Sequence, residues 1–102
     1  MLGLSKIRKL RSRIEALRKK GGVKAAELKS LAHSLGRTPS NRGKEPTWVN
    51  EEFTAWRPMS IPGHPGDLAR PTVRSILDDL EADLDRYEQL HEELQRSTEK
   101  PS

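Results

Sequence analysis

Cysteine is absent from the 102 residues. No disulfide framework can staple the fold, and no cysteine-containing zinc site can form. Aromatic side chains are scarce: two tryptophans, one tyrosine and one phenylalanine. Hydrophobic residues make up only 32% of the chain, against 33% charged. A core drawn from so little is thin, and part of the chain is expected to be extended helix rather than compact domain. No apolar run approaches the roughly 20 residues needed to cross a bilayer. Nor is there a secretion signal. Residues 1–20 are basic, but their leucines and isoleucines recur only every three or four positions, which is amphipathic rather than continuously apolar. These absences lead to the expectation of a cytoplasmic protein with no membrane partner. The length suits one small domain and not two.

What is present is charge, unevenly placed. The net charge is +4 and the pI about 9.7, a balance that favours an acidic partner such as nucleic acid or an acidic protein. Residues 1–20 hold eight cations (Lys6, Arg8, Lys9, Arg11, Arg13, Arg18, Lys19, Lys20) and one acid, Glu15. Residues 77–102 hold nine acids and three bases. The two ends therefore carry opposite charge.

Four pieces follow along the chain. In residues 4–20, Leu4, Ile7, Leu10, Ile14 and Leu17 form one helical stripe, stopped by Gly21-Gly22. Residues 23–35 predict a short helix with Ala25, Leu28, Ala32 and Leu35 on one face and Gly36 as its cap. Residues 37–70 hold five of the seven prolines, both tryptophans and the phenylalanine, so helix is excluded. Strands are expected at Thr47-Trp48-Val49 and at residues 57–61, with a weaker one near residues 37–41. A long helix opens at Pro71, with near-heptad apolar positions at Val73, Ile76 or Leu77, Leu80, Leu84, Tyr87, Leu90 or His91, and Leu94.

Three stretches carry a family likeness. Glu27-Leu28-Lys29-Ser30-Leu31 leads to Gly36. Arg42-Gly43-Lys44 precedes Thr47-Trp48-Val49. Ser60-Ile61-Pro62-Gly63-His64-Pro65-Gly66-Asp67-Leu68 leads to Thr72-Val73-Arg74-Ser75-Ile76-Leu77. From Val23 to about Leu84, the chain resembles the HicA family of messenger-RNA-targeting toxins. The third stretch looks like that family's proline-histidine loop and threonine-led helix. The resemblance implies an α+β fold with a small double-stranded-RNA-binding-like domain (helix, three-stranded antiparallel sheet, helix). Here the domain would gain an added N-terminal helix and a long C-terminal helix. It also implies metal-independent cleavage of messenger RNA, no cofactor, and neutralisation by a HicB-type antitoxin. The corresponding segments are a basic helical extension (1–22), the HicA-like domain (23–84), and an acidic extension with a frayed tail (85–102). One position departs from the pattern. The family's catalytic histidine follows the glycine after the first strand, where this chain reads Gly43-Lys44-Glu45-Pro46.

RNA cleavage without a metal needs a base near the 2′-hydroxyl, an acid for the leaving oxygen and positive charge for the phosphate. His64, which matches a family position, is the candidate acid. Glu45, beside the missing histidine, is the candidate base, the alternative being a solvated turn residue. Lys44 or Arg42 would hold the phosphate. Arg37, Arg42, Lys44, Arg57, Arg70 and Arg74 cluster in or beside the proline-rich segment as RNA-binding candidates. Trp48 is assigned to the core and Trp56 to base stacking at the surface. His33 and His91 are assigned solvated or structural roles.

The terminal helices, one basic and one acidic, are expected to pair through their apolar seams, within one chain or in a homodimer. The alternative is that the basic helix binds RNA phosphate directly, but its apolar stripe needs a burial that RNA would not supply. Two other readings remain open. One is a catalytically inactive RNA-binding relative. The other is a small DNA-binding regulator, since Ala69-Arg70-Pro71-Thr72-Val73-Arg74 also looks like the start of a recognition helix.

Overall fold

The computed structural model describes residues 1–40, 47–63 and 66–98. Among these the architecture is α+β, with three helices and one three-stranded antiparallel sheet. The order is α1 (Leu4–Lys19), α2 (Ala25–Ser34), β1 (Arg37–Ser40), β2 (Thr47–Asn50), β3 (Met59–Ser60) and α3 (Arg70–Thr98). Among the described residues, no helix is long and apolar enough to cross a membrane.

Leucine, arginine and lysine make up ten of the 16 residues of α1, and all favour helix. Ile7, Leu10, Ile14 and Leu17 are buried as one stripe, whereas Leu4, counted in it from sequence, is 50% exposed at the first turn. The helix stops before the glycine pair, where Gly22 takes a positive φ of 71° that residues with side chains rarely adopt. The buried stripe meets α3, and the two helices run antiparallel. Arg18 reaches Asp78 and Glu81 at one end, Arg11 reaches Asp85 and Glu88 further along, and His91 Nε2 lies 2.6 Å from the Leu2 carbonyl. The expected pairing of the terminal helices thus occurs within one chain. Burying four large aliphatic side chains is worth about 6–12 kcal/mol before entropy is counted. Half-exposed ion pairs of this kind contribute about 0.2–1 kcal/mol each. The apolar seam therefore holds the helices together, and the charges set their direction and register.

Helix α2 starts where the Glu27 carboxylate accepts the Lys24 N–H at 2.9 Å, satisfying one of the donors a helix start leaves free. It buries Ala25, Leu28, Leu31 and Ala32. Beside it the chain returns: the Leu68 N–H donates to the Val23 carbonyl at 2.9 Å, which anchors the approach to α3. Gly36, at φ 92°, ends the segment. A Cβ there would lie 3.0 Å from the Tyr87 hydroxyl, so the position needs both the backbone freedom and the empty space of glycine.

The sheet is a meander, with Arg37 opposite Asn50, Ser40 opposite Thr47, and Thr47 opposite Ser60. Strand β3 is shorter than the residues 57–61 read from sequence. Pro58 has no N–H for the ladder, and the Arg57 carbonyl is taken by a side chain described below. Pro71 lies in the first turn of α3, where its missing donor costs nothing. The final helix of the expected domain and the long C-terminal helix are one 29-residue element. That element buries Val73, Ile76, Leu77, Leu80, Leu84 and Tyr87 in the common core. Its seam ends there, and Leu94, read as part of the heptad, is 56% exposed.

Candidate functional site

Two polar residues of α3, one turn apart on the same face, position the sheet and the loop beside it. Asp83 is fully buried and receives Arg37, which is only 2% exposed. Arg37 Nε donates to Oδ2 at 2.5 Å and Nη2 to Oδ1 at 2.9 Å, a bidentate pair. Arg37 Nη1 also donates to the carbonyls of Trp48 (2.8 Å) and Arg57 (3.1 Å). One guanidinium thus ties β1, β2, the segment entering β3 and α3. Arg37 belongs to the interior and not to an RNA-facing cluster, a correction to its reading from sequence. Its signal was the basic composition of the neighbourhood. Its partner lies 46 positions away, beyond any local pattern.

Tyr87 makes the second node. Its hydroxyl donates to the Leu35 carbonyl at 2.9 Å and accepts from Asn50 Nδ2 at 2.8 Å. Burial pushes the Tyr87 phenol above the usual tyrosine range. Asn50 Oδ1 in turn accepts the N–H groups of Glu52 and Phe53, shaping the turn after β2. Phe53 and Trp56 stack at 4.6 Å, and both meet Tyr87 edge-on.

Between β3 and α3 runs an open groove of about 740 Å³. Thr72, Ser75, Asp79, Ala82 and Arg86 form its α3 wall, a stripe at helical spacing. Small side chains at positions 75 and 82 keep it open. The facing wall includes Arg57, Ser60 and Pro62. The groove therefore offers hydroxyl donors along its length and two exposed cations, Arg57 and Arg86. Arg86 is held by Asp83 at 2.9 Å and lies 5.5 Å over the Trp56 ring.

The sequence candidates fall in three places. Arg42, Lys44 and Glu45 lie outside the described residues, and so does His64. The register still constrains their segments. Ser40 and Thr47 face each other at one end of β1 and β2, and Thr47 faces Ser60. The chain leaves the sheet at that one end into both segments that bear these residues. Arg70 and Arg74 are exposed on the first two turns of α3, where they share a small hollow with Pro71, Ser75 and Asp78. Arg57 and Trp56 stand elsewhere. Arg86, their neighbour, is 12 residues beyond Arg74, about 18 Å along the helix axis. Trp56 is half-buried and engaged by Phe53, Tyr87 and Arg86. Trp48 is buried in β2, and its Nε1 has no hydrogen-bond partner among the described residues.

Sequence reasoning missed Lys29, Arg86 and the groove. Lys29 stands beside the loop, since a Cβ built on Gly63 would lie 3.6 Å from its Nζ. Its place on the outer side of α2 is readable from helical spacing, but its proximity to residue 63 is not. Among the described residues, no group of three histidine, aspartate or glutamate side chains converges to hold a metal ion. Comparison with protein-family models, with curated proteins and with solved structures gives no match for this chain.

Proposed function

We propose that this chain is the toxin component of a toxin–antitoxin pair, a cytoplasmic protein that binds messenger RNA and cleaves it without a metal. The observation that carries the reading is the register of Ser40, Thr47 and Ser60. It sends the segment containing Arg42, Lys44 and Glu45 and the segment containing His64 out from the same end of the sheet. Metal-free cleavage requires base, acid and cation to meet at one place, and a shared point of departure of the two segments supports that reading. Further support comes from the resemblance of residues 23–84 to the HicA family. The order α2, β1, β2, β3, α3 is that of the double-stranded-RNA-binding type of domain, to which we assign this part of the chain.

In this mechanism Glu45 takes the 2′-hydroxyl proton, and the 2′-oxygen attacks phosphorus. His64 protonates the departing 5′-oxygen, giving a 2′,3′-cyclic phosphate and a 5′-hydroxyl. Lys44, Arg42 and the loop-side Lys29 offset the charge that builds on the phosphate. The groove, with Arg57 at one end and Arg70 and Arg74 beyond the other, offers a path for the strand. A HicB-type antitoxin would cover this face. A second reading, an inert RNA-binding relative, is favoured by the absence of a histidine at residues 43–46.

The deciding experiment is cleavage of messenger RNA by the purified chain in chelator, beside His64→Ala and Glu45→Gln. Cleavage by the native chain that both variants lose is the expected result. Binding without cleavage would establish the inert relative, and a preference for one duplex DNA over RNA would overturn the proposal.

A further inference from the structure

The pairing of α1 with α3 uses few of the cations that α1 carries. Arg11 and Arg18 take the α3 carboxylates. Lys6, Lys9 and Arg13 are exposed and have no carboxylate partner among the described residues. At spacings of three and four they line one face, turned away from α3 and bordering α2, where Arg13 Nη2 donates to Ser30 Oγ at 3.3 Å. Like charges at such spacings destabilise a helix by about 0.2–0.5 kcal/mol per pair. No acid offsets them here, because Glu15, the one acid of α1, lies on the α3 side, 4.0 Å from Arg18. A ridge that weakens its own helix, and whose cations meet no carboxylate among the described residues, leaves its charge for an external anion.

A second observation says where that anion comes from. The outer surface of α2 connects the ridge to the candidate site. Lys29 stands beside Gly63, and Ser30 meets Arg13. The single acid of α2, Glu27, is already bonded to Lys20 and the Lys24 N–H. From Gly63, over Lys29 and Ser30, to Arg13, Lys9 and Lys6, the described surface therefore presents cations and hydroxyls, while the exposed Asp67 carboxylate lies beside Gly22 at the start of α2.

We propose that Lys6, Lys9 and Arg13 form a phosphate-binding track, which extends the RNA footprint from the sheet-end loops across α2 and along α1. The inference rests on the RNA-binding reading above and adds a sequence-independent contribution to affinity. The apolar stripe and the ridge occupy different faces of α1, so the helix docks on α3 and holds RNA at once. A backbone-tracking polyanion suits the ridge because its three cations rise along one line with little apolar surface between them.

The test uses the full chain, a fluorescent single-stranded RNA of about 20 nucleotides, and a series of salt concentrations. The variant Lys6→Gln/Lys9→Gln/Arg13→Gln is compared with the charge-keeping Lys6→Arg/Lys9→Arg/Arg13→Lys. Losing three phosphate contacts lowers the slope of log affinity against log salt by about 2. Affinity should fall roughly 10- to 100-fold near 0.1 M salt, with no drop in melting temperature and wild-type behaviour in the charge-keeping variant. An unchanged slope with RNA binding intact overturns this inference alone. No RNA binding by the native chain overturns the function above together with it. Polyglutamate binding that only the glutamine variant loses, with RNA affinity unchanged, would assign the ridge to an acidic protein and overturn it as well.

Discussion

Arg37 and Asp83 are charges kept out of water, and each depends on the other. The pair also holds two strand carbonyls, so its removal has unequal consequences by route. Asp83→Leu leaves an uncompensated guanidinium in the core and should cost about 3–5 kcal/mol in denaturant unfolding. Adding Arg37→Met removes that charge, but the Trp48 and Arg57 carbonyls then lose their donor. Only part of the stability should return; complete recovery would mean the carbonyl bonds contribute nothing. Glu27 gives a residue-scale prediction with a pH sign. Hydrogen bonds from Lys20 and from the Lys24 backbone hold its carboxyl below the usual glutamate range. The unfolded chain therefore binds the proton more readily, and stability from this group rises with pH. It is fully present above the ordinary glutamate value of about 4.3 and is lost as pH falls through the lower folded value. The stability gap between Glu27→Gln and the native chain should be full at about pH 7 and close by about pH 2. A gap independent of pH would remove the carboxylate from the explanation.

At the scale of elements, α3 is the beam on which everything else rests. Its middle carries the apolar seam for α1 and the two polar nodes for the sheet. Near its end, His91 meets the carbonyl of Leu2, just before α1. The turns beyond are exposed, Leu94 included. Leu94→Gln should change stability by less than about 0.5 kcal/mol, as for other surface changes away from packed groups. Thermal melts of the variant and the native chain check this; a loss of several degrees would show that Leu94 has a partner. Ile14→Ala, on the buried stripe, should by contrast cost about 2–5 kcal/mol. The short β3 illustrates the limit of strand reading. Residues 57–61 have the composition of a strand, but a proline and a carbonyl already engaged by Arg37 leave only two residues to pair.

For the whole molecule, the decisive feature is that α1, α2 and the sheet share one core through α3. The molecule is long, 57 Å in its greatest extent against 17 Å in its least, yet its parts cannot lose contact with α3 independently. Unfolding should therefore be a single transition. Tryptophan fluorescence, which reports on β2 and the turn after it, and far-ultraviolet circular dichroism, which reports mainly on the helices, should give the same denaturant midpoint. Separate midpoints would make α1 an independently melting unit. The charge separation also changes meaning at this scale. Acids on α3 neutralise one side of α1 and leave the other strongly positive, so one helix has a structural face and the cationic face that we propose for a polyanion.

The sequence by itself determined the helices and their order, the buried stripe of α1, the glycine stops, the burial of Trp48 and the opposite charge of the two ends. All of these are written in periodicity or composition over a few turns of chain. Tertiary structure decided the rest. It turned Arg37 from a surface cation into the tie between β1 and Asp83, and engaged Trp56 with Phe53, Tyr87 and Arg86. It set Lys29 beside Gly63, opened the groove along α3, and brought the entries to residues 41–46 and 61–69 to one end of the sheet. Each depends on partners many positions apart, where local spacing has no information. Only the packing of a thin core onto a single long helix fixes which distant residues meet.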